Sequence, residues 1–440
     1  ALPIYGLPDF TGDGTVYNRG LLLPGGLTQG GDSTPLAGYQ GDFQPQNRIH
    51  NINLLTSFQV TTALRLFAQG KYANTKSYTI AQPSFDFFTF LAPDNAYLND
   101  RFGALASDGA LLSRDNYDLG VRGESTKRET LRGVIGADGQ ISDHAKYELS
   151  YVYGQTKSRF LSTNYRLADR YYAALDTVRD PSTGQIVCRS NLEPAGLIDP
   201  NNYGQAASTF TPGANSGCQP LNVLGDGVVS QAALDFINVD LVNRYKVQQH
   251  VLSGSISGDF GQFFELPGGA INFVLGGEYR NENFRIRAGD QASYVNGPFV
   301  ANGAPGGAQV FPGFQPQNQV DVSRNGYAGY VELDAEVTDA LSVQAAGRYE
   351  HYSDFGDTVN GKLAGRLQLF SGVAVRGSIS TGFRAPSLAQ QYFNTTSTNN
   401  VAGTLIDILT VPVSNPVAVA LGSKPLQPEK ATNFGGGLTF

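Results

Sequence analysis

Four consecutive segments in the second half of the chain alternate apolar and polar residues with a period of two. The unit covers residues 325–387, and in its first segment Val331 and Leu333 alternate with Glu332 and Asp334. Because successive side chains of a strand point to opposite faces of a sheet, this pattern predicts β-strands with one apolar and one charged face. A face that carries both signs of charge cannot be the dry interior of a sandwich.

The same alternation recurs along the chain, and we expect about eleven strands. Their connections alternate in length. Short ones lie near residues 60, 140, 265, 339 and 371, whereas long ones follow residues 80, 163, 288 and 387. Short turns at one end and long loops at the other are typical of bacterial outer-membrane barrels, whose long loops lie outside the cell. A solenoid would instead show a fixed repeat, and we find none.

Composition favours a membrane protein without spanning helices. Of the 440 residues only 16% are charged, whereas a soluble domain carries about 25%. The sequence has no apolar run near the roughly 20 residues that a spanning helix needs. On composition alone, a large secreted all-β protein such as a sandwich array or solenoid stays open. With the loop pattern, the predicted fold class is an all-β antiparallel transmembrane β-barrel with long extracellular loops and short periplasmic turns. The net charge of −7 argues against nucleic acid as a partner.

The two cysteines, Cys188 and Cys218, lie in the longest excursion, residues 164–245. In an oxidising compartment they would pair and stabilise this irregular segment by about 3–4 kcal/mol in the chain-entropy model. The alternative is two free thiols in a cytosolic protein. Because neither cysteine has the neighbours of a metal or redox site, we expect a structural disulfide.

Two short elements resemble the TonB-dependent receptor family of Gram-negative outer membranes. One ends the last strand of the four-segment unit and consists of Gly382, Phe383, Arg384, Ala385, Pro386 and Ser387. The other is Leu426-Gln-Pro-Glu, which contains Pro428 and Glu429 and enters a glycine-containing strand. The cysteine loop and the run Gly276–Arg280 are also similar to segments of this family. The resemblance spans roughly residues 20–440.

The resemblance implies a receptor that imports a scarce nutrient, such as a ferric siderophore, an oligosaccharide or a cobalamin-type ligand. Members have about 22 strands and a plug domain inside the barrel, with a short box that the TonB protein grips. Residues 1–440 contain about half of those strands and neither a plug nor the box. We therefore expect a central barrel region without the plug domain and the C-terminal strands. Expected partners are outer-membrane lipid, the nutrient and, through the missing plug, the TonB complex.

The resemblance also assigns roles to individual residues. The charged face would line the lumen of the barrel, and its charged members are Arg65, Lys71, Glu278, Arg280, Glu332, Arg348, Arg366 and Arg376. Ligand contacts in this family come mainly from the loops, and exposed aromatic rings stack on sugars and flat chelates. The aromatic candidates are Phe85, Phe87, Phe88, Tyr97 and Tyr203, although each could equally pack within its own loop.

The sequence gives little support for catalysis. The four histidines have no ligand spacing, and no HExxH, GxSxG or P-loop is present. We therefore expect no catalytic residue, no metal and no cofactor. Two other classes of function remain: a passive porin, and a β-rich fragment whose open edges self-associate into an extracellular fibre.

Overall fold

Antiparallel strands make up most of the chain. The computed structural model describes residues 15–16, 18, 20–22, 28–29, 42–80, 83–193, 209–225, 227–288, 319–401 and 404–440. In chain order the strands are β1 (Leu21–Leu22), β2 (Thr28–Gln29), β3 (Gln46–Thr61), β4 (Leu64–Ile80), β5 (Ser84–Leu91), β6 (Ala110–Asn116), β7 (Gly123–Ser142), β8 (Ala145–Arg166), β9 (Thr177–Arg179), β10 (Ile186–Cys188), β11 (Asn238–Asp259), β12 (Glu265–Leu266), β13 (Gly269–Ala288), β14 (Val320–Thr338), β15 (Leu341–Tyr352), β16 (Gly356–Phe370), β17 (Val373–Arg384), β18 (Thr395–Val401), β19 (Thr404–Thr410) and β20 (Glu429–Thr439).

The helices of the described residues are short. They are α1 (Ala96–Phe102), α2 (Ala168–Leu175), α3 (Arg189–Leu192), α4 (Gln231–Ile237), α5 (Leu388–Gln391) and α6 (Pro416–Ala420), with a 3-10 helix at Gly103–Ala106. Among these helices and the other described residues, no helix is both long enough and apolar enough to cross a membrane.

One sheet contains the long strands. Its order is β20-β17-β16-β15-β14-β13-β11-β8-β7-β4-β3, and β12 pairs with β13 beside this path. The eleven strands of the path confirm the predicted number, and each pairs antiparallel with the next long strand along the chain. In the described part of the chain, the edge strands β3 and β20 do not pair with each other.

The predicted alternation of turn and loop lengths is present in the sheet. At one end four connections are two-residue turns, at residues 62–63, 143–144, 339–340 and 371–372, and the connection between β11 and β13 contains the short strand β12. At the other end the connections between β4 and β7 and between β8 and β11 contain helices and strands of their own. We call these two ends the short-turn end and the long-loop end.

Several strands extend further toward the long-loop end than the alternation predicted. Strand β7 begins at Gly123, and β11 begins at Asn238, inside the predicted excursion of residues 164–245. The first residues of β7, 123–128, include no apolar side chain and therefore show no apolar alternation, although their backbones pair with β8. The connection between β15 and β16 is also short, because Gly356 with φ of 88° allows a tight turn.

The two faces of the sheet differ as the alternation predicted. Residues paired across an antiparallel ladder share a face, and Leu66 pairs with Ala137, which pairs with Leu149. We call this side the apolar face and the opposite side, which carries Arg65 and Glu278, the polar face. Large side chains of the apolar face are exposed, including Leu275 at 58%. A continuous exposed apolar face of this kind is typical of strands that face lipid.

Candidate ligand-binding loop unit and polar wall

The two long connections at the long-loop end fold together around a shared hydrophobic core. We call the described residues of 83–122 and 167–237 the loop unit. Its core contains side chains from both connections: Leu91, Leu98, Ala106, Leu119, Tyr171, Tyr172, Ala173, Ala174, Leu175, Cys188, Cys218, Leu221, Val223, Leu224, Ala233, Phe236 and Ile237. Because each connection contributes to one core, the loop unit is a folded cap at the end of the strands.

A buried carboxylate joins the two connections. Asp86 on β5 accepts two hydrogen bonds from Arg166 at the end of β8, with N–O distances of 3.0 and 3.1 Å. It also accepts from Asn116 Nδ2 on β6 and from the Tyr171 hydroxyl on α2, each at 2.7 Å. The Arg166 guanidinium lies 4.1 Å from the centroid of the Tyr171 ring. The side chains of the Arg166–Asp86 pair are only 2% and 4% exposed.

The partners of Asp86 determine its protonation. Burial by itself raises the pKa of this carboxyl, but the charge of Arg166 and the hydrogen bonds from Arg166, Asn116 and Tyr171 lower it further, so the pKa lies below its ordinary value. Burial, followed by the charge of Asp86, raises the pKa of Tyr171. At neutral pH Asp86 is therefore ionised and Tyr171 is a hydrogen-bond donor.

The lowered pKa of Asp86 gives a pH dependence. Because the unfolded chain binds this proton more readily, with a pKa of about 3.9, ionised Asp86 stabilises the loop unit above that pH. This contribution is lost as the pH falls through the lower folded-state value. We expect hydrogen-exchange protection in the loop unit to be level between about pH 8 and pH 5 and to fall below about pH 4. The variant Asp86→Asn should show a smaller acid fall, and an equal fall would contradict the assignment.

A disulfide and further ion pairs support the loop unit. Cys188 at the end of β10 is bonded to Cys218, which confirms the predicted pairing. The next residue, Arg189, pairs with Asp176 at 3.0 Å in its own connection and with Asp94 at 2.7 Å in the other. The Asn95 side chain donates to the Leu175 carbonyl at 2.7 Å. The loop unit is therefore cross-linked both within and between its two connections.

A second polar cluster lies on the polar face of β13 to β15, and we call it the polar wall. Its charged members are Glu278, Arg280, Glu282, Arg324, Arg348, Glu350 and Asp354. Glu278 accepts from Arg280 at 2.9 Å and lies 3.8 Å from Arg348, which also pairs with Glu350. Arg324 pairs with Glu282 at 2.6 Å. Alternating charges thus neutralise one another across three strands.

The polar wall contacts the segment of residues 382–387, which resembles the TonB-dependent receptor family in sequence. Arg324 Nη1 donates to the Pro386 carbonyl at 2.7 Å and lies 3.4 Å from Asp354. Ser387 caps α5 through a capping box with Gln390. The first residue of that helix, Leu388, is buried against Phe284, Ile286 and Val320 on the polar face. The segment after β17 therefore folds across the polar face at the long-loop end.

The two family elements lie on neighbouring strands. Gly382 pairs with Ala431, and Arg384 pairs with Glu429 in the β17–β20 ladder. The Arg384 and Glu429 side chains are 3.5 Å apart and both mostly exposed. This bond links adjacent strand ends, and an exposed pair contributes little stability.

The predicted lumen-facing residues all lie on the polar face. Arg65 pairs with Asp138 at 3.0 Å, and Lys71 is opposite Arg132. Glu332 accepts from Gln344 in the next strand, and Arg366 lies opposite Arg376 in the β16–β17 ladder. Glu278, Arg280 and Arg348 belong to the polar wall. That this face lines a lumen stays a prediction.

Among the aromatic residues predicted to contact the ligand, the structure describes the side chain of Tyr97 only. Tyr97 on α1 packs against the core of the loop unit, and burial followed by the charge of Asp100 raises its pKa. The side chains of Phe85, Phe87 and Phe88, whose backbones lie in β5, are outside the described residues, as is Tyr203. A ligand-binding role for these residues stays a prediction.

Sequence reasoning missed Arg324, Asp86 and Arg166. Arg324 lies on the polar face, in register with Glu282, so extending the alternation of β14 toward Val320 would have identified it. Asp86 and Arg166 are 80 positions apart in irregular segments, and no periodic signal connects them. In the part of the chain that the structure describes, no group of His, Cys, Asp and Glu is arranged to hold a metal ion.

Replacing Arg324 with Met should loosen the segment after β17. The change removes a hydrogen bond to the Pro386 carbonyl and leaves Glu282 without its nearest cation. We therefore expect the free energy that stabilises this segment on the polar face to fall by about 1.5–3 kcal/mol. Limited proteolysis should show faster cleavage between residues 386 and 401. Arg384→Met removes only an exposed pair and should cost less than about 1 kcal/mol. Equal cleavage of both variants would contradict the claim that the contacts of Arg324 stabilise this segment.

The two faces of the sheet and the loop unit at its end together indicate a class of membrane protein. An antiparallel sheet with a lipid-compatible face, a charged opposite face and a folded cap at one end is the architecture of a transmembrane β-barrel. Residues 198–440 match the family profile described as TonB dependent receptor-like, beta-barrel. This match covers more than half of the chain, and the chain belongs to this family. The suspected family and fold class are thereby confirmed.

Several solved structures are similar to this chain at low sequence identity. The RagAB peptide transporter is 11% identical, with 90% of this chain and 38% of that chain covered and a TM-score of 0.47. The siderophore receptor PirA from Acinetobacter baumannii is 13% identical, with 90% and 41% covered and a TM-score of 0.43. A mutant of the ferric enterobactin receptor PfeA from Pseudomonas aeruginosa is 12% identical, with 91% and 41% covered and a TM-score of 0.49. The chain spans about two fifths of the length of these receptors. No curated protein matches it significantly.

Proposed function

We propose that the chain is the barrel region of a Gram-negative outer-membrane receptor that binds a scarce nutrient and imports it with energy from the TonB complex. Family membership supports the outer membrane as its location. Residues 1–440 would form the barrel region, with the cysteine-containing connection outside the cell. The receptor would act in binding and transport, without catalysis or a resident cofactor.

The observation that carries this proposal is the position of the loop unit. It lies at the same end of the sheet as the Pro386 segment and the polar wall. A nutrient that arrives from outside would meet the folded loops first and then a surface of paired charges. Ordered loops lose less conformational entropy when they bind a ligand than flexible ones do.

The nutrient class is open between ferric siderophores, oligosaccharides and cobalamin-type ligands. The similar solved proteins are named as a peptide transporter and as siderophore receptors, but the chain differs too much from them for a ligand to be inferred. Self-association through the edges of β3 and β20 also stays a prediction.

Uptake in cells with and without TonB tests the proposal. Cells expressing the receptor gene would be given radiolabelled ferric siderophores, oligosaccharides and cobalamin in turn. We expect one class to accumulate only when TonB is present, while binding at the cell surface persists without it. Accumulation that continues unchanged after deletion of TonB would contradict the proposal and favour a passive porin.

A further inference from the structure

Three aromatic rings lie beside the polar wall at the long-loop end. Tyr352, at the end of β15, stacks on Phe355 in the turn that follows, with ring centroids 4.7 Å apart. The ring of Phe383, near the end of β17, has its centroid 6.2 Å from that of Tyr352 and 6.5 Å from that of Phe355. All three residues are only partly buried, so some of their apolar surface remains open to solvent. We call these three residues the aromatic cluster.

The aromatic cluster is joined directly to the polar wall. The guanidinium of Arg324 lies 5.2 Å from the centroid of the Tyr352 ring. On the same residue, the Tyr352 hydroxyl donates to Glu350 Oε2 at 2.9 Å. Apolar ring surface and fixed hydrogen-bonding groups are therefore adjacent at this end of the polar face.

A buried hydroxyl beside these groups has no partner among the described residues. Thr358 on β16 lies opposite Glu350 in the β15–β16 ladder and is 7% exposed. Its Oγ1 atom forms no hydrogen bond within the described part of the chain. A buried polar group that stays unpaired is costly. Because a hydroxyl both donates and accepts, water or a hydroxyl of a bound ligand would satisfy it.

The charges of the polar wall do not favour an anionic ligand. Each of its three arginines pairs with at least one of its four carboxylates, so one negative charge is in excess. A paired guanidinium keeps further N–H donors, and a paired carboxylate keeps further lone pairs. The wall can therefore bond neutral hydroxyl groups, whereas an anion would find no uncompensated cation there.

The loops at the entrance repel anions more strongly. Residues 83–122 and 167–237, which include the loop unit, contain 13 acidic residues, 6 arginines and no lysine. Their net charge of −7 equals that of the whole chain, because the remaining residues contain 25 acidic and 25 basic residues. A field of one sign at an entrance slows the approach of ligands of the same sign. Tris-catecholate chelates of iron, which carry several negative charges, therefore fit this entrance poorly.

We propose that the nutrient is an uncharged oligosaccharide and that the aromatic cluster, with the adjoining polar wall and Thr358, binds one of its sugar units. The apolar face of a sugar ring packs on aromatic side chains. Its hydroxyls both donate and accept, so they match the guanidinium donors, the carboxylate acceptors and the Thr358 hydroxyl. The inference rests on the proposed import function, since it names the substrate class of that same path.

Binding to the full-length receptor, purified from outer membranes in mild detergent, tests the proposal. The probes are an array of neutral glycans, a ferric tris-catecholate, a ferric tris-hydroxamate and cobalamin. We expect at least one neutral glycan to bind in a saturable manner, while the iron chelates and cobalamin do not. Failure of every neutral glycan, or saturable binding of an iron chelate or cobalamin, would overturn the proposal.

Ring removals locate the sugar site. The double variant Tyr352→Ala with Phe355→Ala should lose about tenfold or more in affinity for the bound glycan, as truncation of aromatic anchors commonly does. The matched control is Tyr349→Ala on the same strand, whose ring lies on the apolar face and is 42% exposed. The control should bind as the unmodified protein does. Equal affinity of the double variant and the control would contradict the site.

The variant Thr358→Val separates a role in binding from a role in folding. It removes the hydroxyl at nearly constant size, so we expect about two- to tenfold weaker glycan binding. Because it also removes an unpaired buried group, its barrel should resist heating at least as well as the unmodified protein in a gel-mobility assay. Unchanged glycan affinity would contradict the assignment of Thr358.

Uptake in cells distinguishes this inference from the import function. Glycan binding without TonB-dependent uptake would contradict only the import function. TonB-dependent uptake of an iron chelate or of cobalamin, without uptake of any neutral glycan, would contradict only the choice of substrate.

Discussion

Replacing Arg166 with Met should unfold the loop unit while the sheet stays intact. The change leaves the buried carboxylate of Asp86 without its cation, and breaking a buried ion pair in this way costs about 3–5 kcal/mol. Asp86 would keep its bonds from Asn116 and Tyr171, but neither donor carries a charge. Since these residues join β5, β6, β8 and α2, the loss should affect both connections of the loop unit together.

Hydrogen exchange followed by mass spectrometry measures this effect locally. In Arg166→Met we expect fast exchange throughout the loop unit and unchanged protection in β13 to β17. The control is Asp100→Asn, which removes the exposed pair of Asp100 with Arg179 and should cost less than about 1 kcal/mol. The account of the loop unit would be wrong if Arg166→Met exchanged like the control.

Loss of the disulfide should have an effect of similar size on the same unit. The double variant Cys188→Ser with Cys218→Ser removes a cross-link over 30 positions, for which the chain-entropy model gives about 3–4 kcal/mol. Both sulfurs are buried in the core of the loop unit, so the serine hydroxyls would also have to find partners there. We expect protease cleavage between residues 177 and 237 to speed up markedly.

Reductant provides an independent control for the disulfide. Adding it to the unmodified protein should reproduce the cleavage of the double variant, whereas the double variant itself should not respond. The exposed substitution Ser182→Ala in the β9–β10 hairpin should leave cleavage unchanged. A double variant as resistant as the oxidised protein would show that packing alone holds this segment.

The sheet could be predicted from the sequence because its signal is local. Each strand of the four-segment unit shows alternation within its own few residues, and Val331 and Leu333 lie on the face that this pattern assigned. The strand ends could not be predicted in the same way. Around Lys127 and Arg244 both faces carry polar residues, so pairing there depends on the neighbouring strand rather than on local alternation.

The loop unit could be predicted only in part. The cysteine pairing followed from residue type and compartment, since two cysteines allow a single intramolecular bond. The Asp86–Arg166 pair depends on the tertiary meeting of two irregular segments. Helix α2 does not continue beyond Leu175. Asp176 and Thr177 instead lead into the short β9–β10 hairpin.

A row of cations on β4, β7 and β8 illustrates information that appears only after the register is known. Lys76, Lys127 and Arg159 are widely spaced in the sequence and form no charged cluster there. The antiparallel register places them side by side on one face. In contrast, the Arg384–Pro386 element was recognisable in the sequence, although its contact with Arg324 required the fold.

Thiol accessibility on two adjacent residues tests most directly the claim that the sheet separates lipid from an aqueous interior. Ala345 pairs with Leu333 on the apolar face, and Ala346 pairs with Glu332 on the polar face. Because both natural cysteines are in the disulfide, Ala345→Cys and Ala346→Cys each introduce a unique thiol. In intact membranes we predict that a water-soluble maleimide labels the thiol at position 346 and not the one at 345, which should react only with a membrane-soluble reagent. Equal labelling of both positions by the water-soluble reagent would contradict the account.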